Sequence, residues 1–179
     1  MDLKSTRKEA IFKVGRNVLL FQQLEGVLKY LVSHGTFSAY QSELISKFKR
    51  QKKSVSKRTL GMVVGDFLSD PEPTPAPEKL REPHIIFRFT FEMQEDIKAQ
   101  IEELVDERNH LVHHFLEGFD TSSVERWSAA SASLDLQQEK LNRTKKYLQD
   151  LAQALSDGRK ELAERMMTEE FRQQFNQKQ

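Results

Sequence analysis

One segment, ELVDERNHLVHHF, concentrates side chains that can transfer protons and stabilise charge. In it Arg108 and Asn109 are followed by His113. At about 100° per residue, Asn109 and His113 share a helix face with Glu102 and Asp106, and Arg108 lies in an adjoining apolar stripe. Imidazole titrates near neutral pH and acts as a general acid or base, whereas guanidinium stays charged and stabilises a developing anion. One helix thus offers a cation next to an imidazole, an amide and two carboxylates, a set that can transfer protons and stabilise charge.

The same residues also have structural interpretations. Glu25 lies within an apolar stripe near the N-terminus, so a buried ion pair between Glu25 and Arg108 is one prediction, and the pair can also support a cleft. His113 can be catalytic, or a surface or interface residue. His110 and His114 point to either side of it and are predicted to be solvated. Zinc needs three or four converging ligands, which this pattern does not supply, so we expect neither metal nor cofactor.

The pattern Arg108-Asn109-x-x-x-His113 resembles the signature of the HEPN superfamily, an Arg followed four to six residues later by His on a helix. The resemblance implies a helical bundle that dimerises and brings two motifs into a shared cleft. Many such proteins are metal-independent endoribonucleases that act as toxins, abortive-infection effectors or RNA-processing factors. It also implies that His113 is the general acid/base, that Arg108 stabilises the transition state and that Asn109 orients the phosphate or the imidazole. In one toxin subgroup a Tyr two positions after the His is adenylylated; Phe115 stands there, so that modification is not expected.

A second candidate is the run KFKRQKKSVSKR, which has seven basic residues and no acidic one. Its basic members are Lys47, Lys49, Arg50, Lys52, Lys53, Lys57 and Arg58. Such runs commonly bind phosphates, so the run is predicted to track RNA. The alternative is a solvated linker between two short helices.

Composition excludes several other classes of protein. The 179 residues include 28 basic and 27 acidic side chains and no cysteine, so disulfides, cysteine metal sites and thiol nucleophiles are excluded. A net charge of +1 gives no global attraction to nucleic acid. No apolar run approaches the roughly 18 residues of a membrane span. We expect a cytoplasmic protein with no membrane partner.

Helical periodicity covers most of the chain. Helices are predicted over 6–32, where Thr6 and Glu9 form a capping box, over 38–48, 60–68 and 93–118, and from 122 to a break at Gly158, with one short extended segment over 85–91. In the last of these helices the residues Trp127, Leu134, Leu141, Leu148 and Leu155 are seven apart, which predicts lengthwise packing against another helix. The five prolines predict an exposed loop at 70–83, and residues 172–179 are predicted to fray. The fold predicted is therefore a single domain over 1–179, an all-α antiparallel helical bundle of the HEPN type with at most one short extended segment.

These observations predict a homodimeric endoribonuclease that cleaves single-stranded RNA through a 2′,3′-cyclic phosphate, in a toxin or phage-defence setting with an antitoxin or defence-system partner protein. The alternative is a catalytically inactive helical binding module or adaptor that assembles with a partner protein.

Overall fold

A computed structural model of the chain describes residues 2–69 and 84–169. The predicted proline-rich loop at 70–83 and the predicted frayed tail at 172–179 lie outside these residues. The elements in chain order are α1 (Leu3–Gly35), β1 (Thr36–Tyr40), a 3₁₀ turn (Gln41–Glu43), α2 (Leu44–Ser56), α3 (Leu60–Leu68), β2 (His84–Arg88), α4 (Glu95–Asn109), a π-helical segment (His110–His114) and α5 (Val124–Met166). The protein is mostly helical, as predicted.

Helix α1 begins one turn earlier than predicted. Its N-cap is Asp2, whose carboxylate accepts a hydrogen bond from the backbone N–H of Ser5 at 2.8 Å. Thr6, the predicted cap, is instead buried within the first turns and donates its hydroxyl proton to the Asp2 carbonyl. A capping residue satisfies N–H groups that have no partner within the helix, and Asp2 fulfils that role here.

The core is built on the packing of α1 along α5. The buried residues recur every seven positions on both helices, as lengthwise packing at a shallow crossing angle requires. On α1 they are Ala10, Asn17, Leu24 and Leu31, and on α5 they are Trp127, Leu134, Leu141, Leu148 and Leu155. The seven-residue spacing that predicted lengthwise packing of the last long helix is thus confirmed.

The two long helices run parallel, which the antiparallel prediction did not anticipate. Cross-helix hydrogen bonds join Lys13 to Asp135, Gln23 to Lys145, and His34 to Arg159. Residue numbers rise together along both helices, so the chain directions agree. The reason is that α4, which comes between them in the chain, runs in the opposite direction. Glu107 of α4 bonds to Gln137 and Glu103 pairs with Lys140, so α4 is antiparallel to α5.

Two strands form a small sheet where at most one extended segment was predicted. β1 pairs antiparallel with β2, from Thr36 opposite Arg88 to Tyr40 opposite His84. β2 begins one residue before the predicted extended segment and covers only its first part. β1 replaces the start of the helix predicted over 38–48, which begins only at Leu44. A strand whose partner is more than forty residues away carries little local signal.

Two further helices test the role of glycine. α3 spans Leu60–Leu68 as predicted, despite its internal glycines. α5 continues through Gly158 to Met166, so the predicted break is wrong. Glycine in a helix interior is unfavourable by only about 1 kcal/mol relative to alanine, and packing of the helix offsets this. Within the described ranges, no helix is both long and apolar enough to span a membrane.

Candidate functional site

The predicted motif straddles a change of helix type. Arg108 and Asn109 end α4, and His113 belongs to the π-helical segment that continues it. A π segment has a wider turn than an α-helix and occurs frequently at functional sites. Because each residue then turns through a smaller angle, the ideal helical projection fails here. Val112, which an ideal α-helix would place in the apolar stripe beside Arg108, is 43% exposed.

Arg108 and Asn109 are held together. The Arg108 guanidinium donates from Nη1 to Asn109 Oδ1 at 3.0 Å, and both side chains are half-buried. This bond leaves further guanidinium N–H groups and the Asn109 amide N–H₂ as donors. The pair therefore presents several donors, one of them positively charged, at the end of α4.

His113 is exposed, and within the described residues its ring nitrogens have no hydrogen-bond partner. The ring of His113 lies edge-on to His114 with centroids 6.1 Å apart. His114 is itself engaged with Glu117, at 2.8 Å between Nδ1 and Oε1. The exposed positions of His110 and His114 agree with the prediction that they are solvated. His113 alone of the three shares the motif with an arginine and remains open to a ligand.

The predicted ion pair between Glu25 and Arg108 does not form. Glu25 pairs instead with Lys29, one turn along α1, at 2.7 Å. Both of these side chains are 24% exposed, so the pair is not deeply buried. Arg108 is likewise only half-buried, so its guanidinium keeps part of its hydration and does not require a buried carboxylate partner. Glu25 is therefore not part of this site.

Glu102 and Asp106, the predicted supporting carboxylates, are exposed. Among the described residues neither side chain forms a hydrogen bond or ion pair. Both lie on α4 within two turns of Asn109, so they add negative charge to this surface but do not bind Arg108.

Sequence reasoning missed the polar network that positions the end of α4. Asn17 is fully buried and donates to Gln137 Oε1 at 3.0 Å, and Gln137 donates in turn to Glu107 Oε2 at 3.1 Å. Lys140 adds an ion pair to Glu107 at 2.6 Å. Three helices are thus joined at the residue that precedes Arg108. The sequence feature that could have revealed this network is the seven-residue spacing that places Asn17 in register with the buried apolar residues of α1.

An aromatic ladder closes the turn after the motif. The rings of Phe115 and Phe119 stack at 5.8 Å, and Phe119 meets Trp127 edge-on at 4.7 Å. The Trp127 indole N–H donates to the Thr121 carbonyl at 3.0 Å. Gly118 has φ +64°, which a residue with a side chain rarely adopts, so a glycine is needed for this turn. The ladder fixes the π-helical segment against the start of α5.

The basic run forms most of helix α2 and its C-terminal turn, so the linker interpretation is wrong. Helix α2 packs by Phe48 and Val55, Gln51 bonds to the end of α1, and most of the remaining surface of the helix faces solvent. Six of the seven basic residues are exposed, namely Lys47, Lys49, Arg50, Lys52, Lys53 and Lys57. Arg58 is partly exposed and pairs with Asp66 of α3. The structure therefore presents a helix whose exposed surface carries five cations and no acidic side chain, with a sixth exposed cation, Lys57, at its C-cap.

Concave surface lies elsewhere. An open groove of about 700 Å³ runs between α1 and α5, lined on α1 by Gly26, Val27 and Tyr30, and its lining includes none of the motif residues. Within residues 2–69 and 84–169, no three side chains of His, Asp or Glu are placed to hold a metal ion. The motif residues therefore lie outside this groove, with His113 exposed and Arg108 and Asn109 half-buried.

Comparison with known proteins adds no further assignment. No protein-family model matches this chain, and no curated protein or solved structure is significantly similar to it.

Proposed function

We propose that this protein is a metal-independent endoribonuclease of the HEPN type, with Arg108, Asn109 and His113 as its catalytic residues. The observation that carries the proposal is the placement of an exposed imidazole, with no hydrogen-bond partner among the described residues, five residues after a half-buried guanidinium bound to an amide. Phosphodiester cleavage at neutral pH needs a titratable base and a fixed cation, and this surface supplies both. A toxin or phage-defence role, with an antitoxin or a defence-system partner protein, belongs to the same proposal.

In the proposed step His113 accepts the proton of the ribose 2′-hydroxyl. The 2′-oxygen attacks the adjacent phosphorus, the bond to the 5′-oxygen breaks, and the leaving 5′-oxygen takes a proton from water, while the His113 imidazolium returns its own proton to solvent. The products are a 2′,3′-cyclic phosphate and a 5′-hydroxyl. Arg108 donates to the phosphoryl oxygens as negative charge develops on them, and the Asn109 amide, fixed by Arg108, orients the phosphate.

Helix α2 is the proposed RNA-tracking surface. Gln51 donates to the Thr36 carbonyl, so α2 lies at the C-terminal end of α1, whereas the motif lies near its middle, beside Asn17. At 1.5 Å per residue, the two regions are roughly 20–30 Å apart along the helix axis. A single strand of several nucleotides spans that distance. We therefore propose that cations such as Lys49 and Lys53 bind phosphates away from the point of cleavage.

The test is cleavage of a single-stranded RNA beside a DNA of the same sequence, each with EDTA present. We expect cleavage of RNA alone, because DNA lacks the attacking hydroxyl. His113→Ala should lower the rate by roughly 10²- to 10⁴-fold, the usual contribution of a positioned acid or base. His110→Ala is the matched control, since it removes an exposed imidazole from the same segment. Equal activity of the His113 and His110 variants would refute the assignment.

A second candidate is a catalytically inactive helical binding module. The observation that favours it is the location of the groove between α1 and α5, away from Arg108 and His113. If wild-type protein and His113→Ala are equally inactive on every RNA tested and equally harmless when expressed in cells, the binding module becomes the better account.

A further inference from the structure

The open groove between α1 and α5 is rich in side chains that donate and accept hydrogen bonds. Its volume is about 700 Å³, within the range of sites that hold small molecules. Amides, hydroxyls and one ammonium group line it, and none of the described residues adds a carboxylate to the lining. The polar lining residues are Gln23, Tyr30, Lys145, Gln149, Gln153 and Ser156. The groove therefore favours a ligand that is polar and either neutral or anionic.

The amides of the groove are only partly used within the chain. Lys145 donates to Gln23 Oε1 at 3.0 Å, which leaves the Gln23 N–H₂ group and further ammonium protons as donors. Gln153 donates to Asp157 at 2.9 Å, which leaves the Gln153 amide oxygen as an acceptor. An amide offers a donor and an acceptor side by side, and so do the edges of nucleobases. The groove can therefore form hydrogen bonds with a base that is not paired to another strand.

A stack of aromatic rings ends in this groove. The ring of Tyr30 lies on that of His34 with centroids 4.3 Å apart, and His34 meets Phe48 of α2 edge-on at 5.2 Å. Because His34 covers one face of the Tyr30 ring, the groove receives the other face or the edge. Proteins bind single-stranded nucleic acids with aromatic rings on which bases stack, next to cations that hold the phosphates. Tyr30 supplies the first of these two features.

The cations of α2 adjoin the same end of the groove and supply the second feature. The pKa of the His34 imidazole is lowered mainly by burial and also by Arg159 and Lys52, so Lys52 of α2 lies near the ring that stacks on Tyr30. Arg159 donates to the His34 carbonyl at 3.4 Å. A strand whose phosphates follow α2 therefore passes this end of the groove.

Helix α2 also reaches round α1, away from the groove. Its Phe48 contacts His34, whereas its Ser56 carbonyl accepts a hydrogen bond from Lys29 at 3.1 Å. His34 and Lys29 are five residues apart on α1, which turns the helix by about 140°. One end of α2 thus lies on the groove side of α1, and the other end lies on a different side.

Helix α3 continues this path towards the motif. Arg58, just after α2, pairs with Asp66 of α3. Gly61 of α3 lies against α4, since a Cβ added there would meet Val105 Cγ1 at 3.3 Å. Val105 is three residues before Arg108. A strand held along α2 can therefore have one part at the groove and another part near the motif.

We propose that the groove between α1 and α5 binds unpaired bases of single-stranded RNA, at a distance from the bond that is cleaved. Tyr30 stacks on a base, the amides of Gln23 and Gln149 bind base edges, and Lys145 binds a phosphate. The groove extends about 10 Å along α1, which accommodates roughly two or three bases at the stacking distance of about 3.4 Å. This inference rests on RNA being the substrate, as proposed above, but not on its cleavage.

Gly26→Leu tests the groove without removing a side chain from the fold. A Cβ added at Gly26 would meet no atom within 4 Å, and the new side chain would lie one turn before Tyr30, where the stacked base is placed. Gly15→Leu is the matched control, because Gly15 is equally open on the same helix but does not line the groove. Both changes are made in His113→Ala protein, so that the RNA stays intact.

Fluorescence anisotropy of a labelled single-stranded RNA measures the effect on binding. Loss of one stacked base corresponds to roughly 5- to 150-fold in affinity, so Gly26→Leu should raise the Kd by about fivefold or more, whereas Gly15→Leu should leave it nearly unchanged. Lys145→Ala should reduce the salt slope by about 0.7, the value for one phosphate contact of a single strand. Lys146→Ala is its control, because Lys146 pairs with Asp150 and does not line the groove.

A strand without bases separates base binding from attraction between charges. An abasic strand of the same length should bind more weakly than RNA, and its Kd should be the same for Gly26→Leu and Gly15→Leu. Equal RNA binding by these two variants, or an equal loss for the abasic strand, would overturn the inference even where cleavage depends on His113. Groove-dependent binding of an RNA that wild-type protein does not cleave would support the groove and refute the nuclease. A polyglutamate peptide whose binding depends on Gly26 when that of RNA does not would assign the groove to an acidic protein segment and overturn the inference.

Discussion

Replacement of Asn17 by alanine should destabilise the fold more than any exposed polar substitution on the same helix. Asn17 is fully buried and donates from Nδ2 to the Leu134 carbonyl at 2.8 Å and to Gln137 Oε1 at 3.0 Å. Each hydrogen bond contributes about 1 kcal/mol, and the vacated volume adds a further term, so we expect a loss of about 2–3 kcal/mol. The Leu134 carbonyl keeps its bond from Arg16, which limits the loss.

Urea denaturation followed by the single tryptophan, Trp127, measures this change directly, because that residue is buried at the start of α5. For a chain of this length, the same loss of stability corresponds to a fall of about 5–10 °C in the melting temperature. Gln22→Ala is the matched control, since Gln22 is exposed on the same helix. If Asn17→Ala is no more destabilising than Gln22→Ala, the buried network does not hold α1 against α5. A double-mutant cycle with Gln137→Ala should show coupling of about 1 kcal/mol.

Three further predictions concern other parts of the molecule. The pKa of the His34 imidazole is lowered mainly by burial and also by two nearby cations, so the fold favours the neutral ring. The free energy of unfolding should therefore be full above about pH 6.5 and fall as the pH drops below it. His34→Gln should make the urea midpoint nearly independent of pH between about pH 5 and pH 7. Gly118→Ala should lower the free energy of unfolding by about 1–2 kcal/mol, because the φ of Gly118 is +64°. Gly158→Ala, inside α5, should raise it by up to about 1 kcal/mol. Equal effects of the two substitutions on thermal stability would contradict the turn geometry. Replacing Lys49 and Lys53 of α2 by Glu should weaken RNA binding measured by fluorescence anisotropy and reduce its dependence on salt, and an unchanged salt slope would exclude α2 from the RNA surface.

Local pattern was sufficient for most of the helices. The seven-residue spacing from Trp127 to Leu155 predicted lengthwise packing, and the periodicity of Leu60–Leu68 predicted α3. The relative direction of the two long helices was not predictable from local pattern, because the parallel arrangement of α1 and α5 depends on α4 running antiparallel between them in the chain. β1 was missed for a similar reason, since its pairing partner β2 is distant in sequence.

The candidate site was predictable in composition but not in geometry. The helical projection placed Arg108 near the core and expected Glu25 as its partner, but a local partner, Lys29, was available to Glu25 one turn away. The π-helical segment altered the direction of every side chain after Asn109, including Val112, and no spacing rule for an α-helix anticipates it. The buried contact of Asn17 could in principle have been predicted, because a polar residue within a seven-residue repeat of buried positions indicates a specific buried contact.

The central claim is that the ribose 2′-hydroxyl attacks the phosphate with His113 as its base, and one substrate isolates that step. After the cleavage site of an RNA is mapped, the hydroxyl on its 5′ side is replaced by hydrogen at that nucleotide alone. The account predicts that wild-type protein no longer cleaves there in the presence of EDTA, while other sites in the same strand remain sensitive and give 2′,3′-cyclic phosphate ends. Undiminished cleavage at the deoxy position would contradict it.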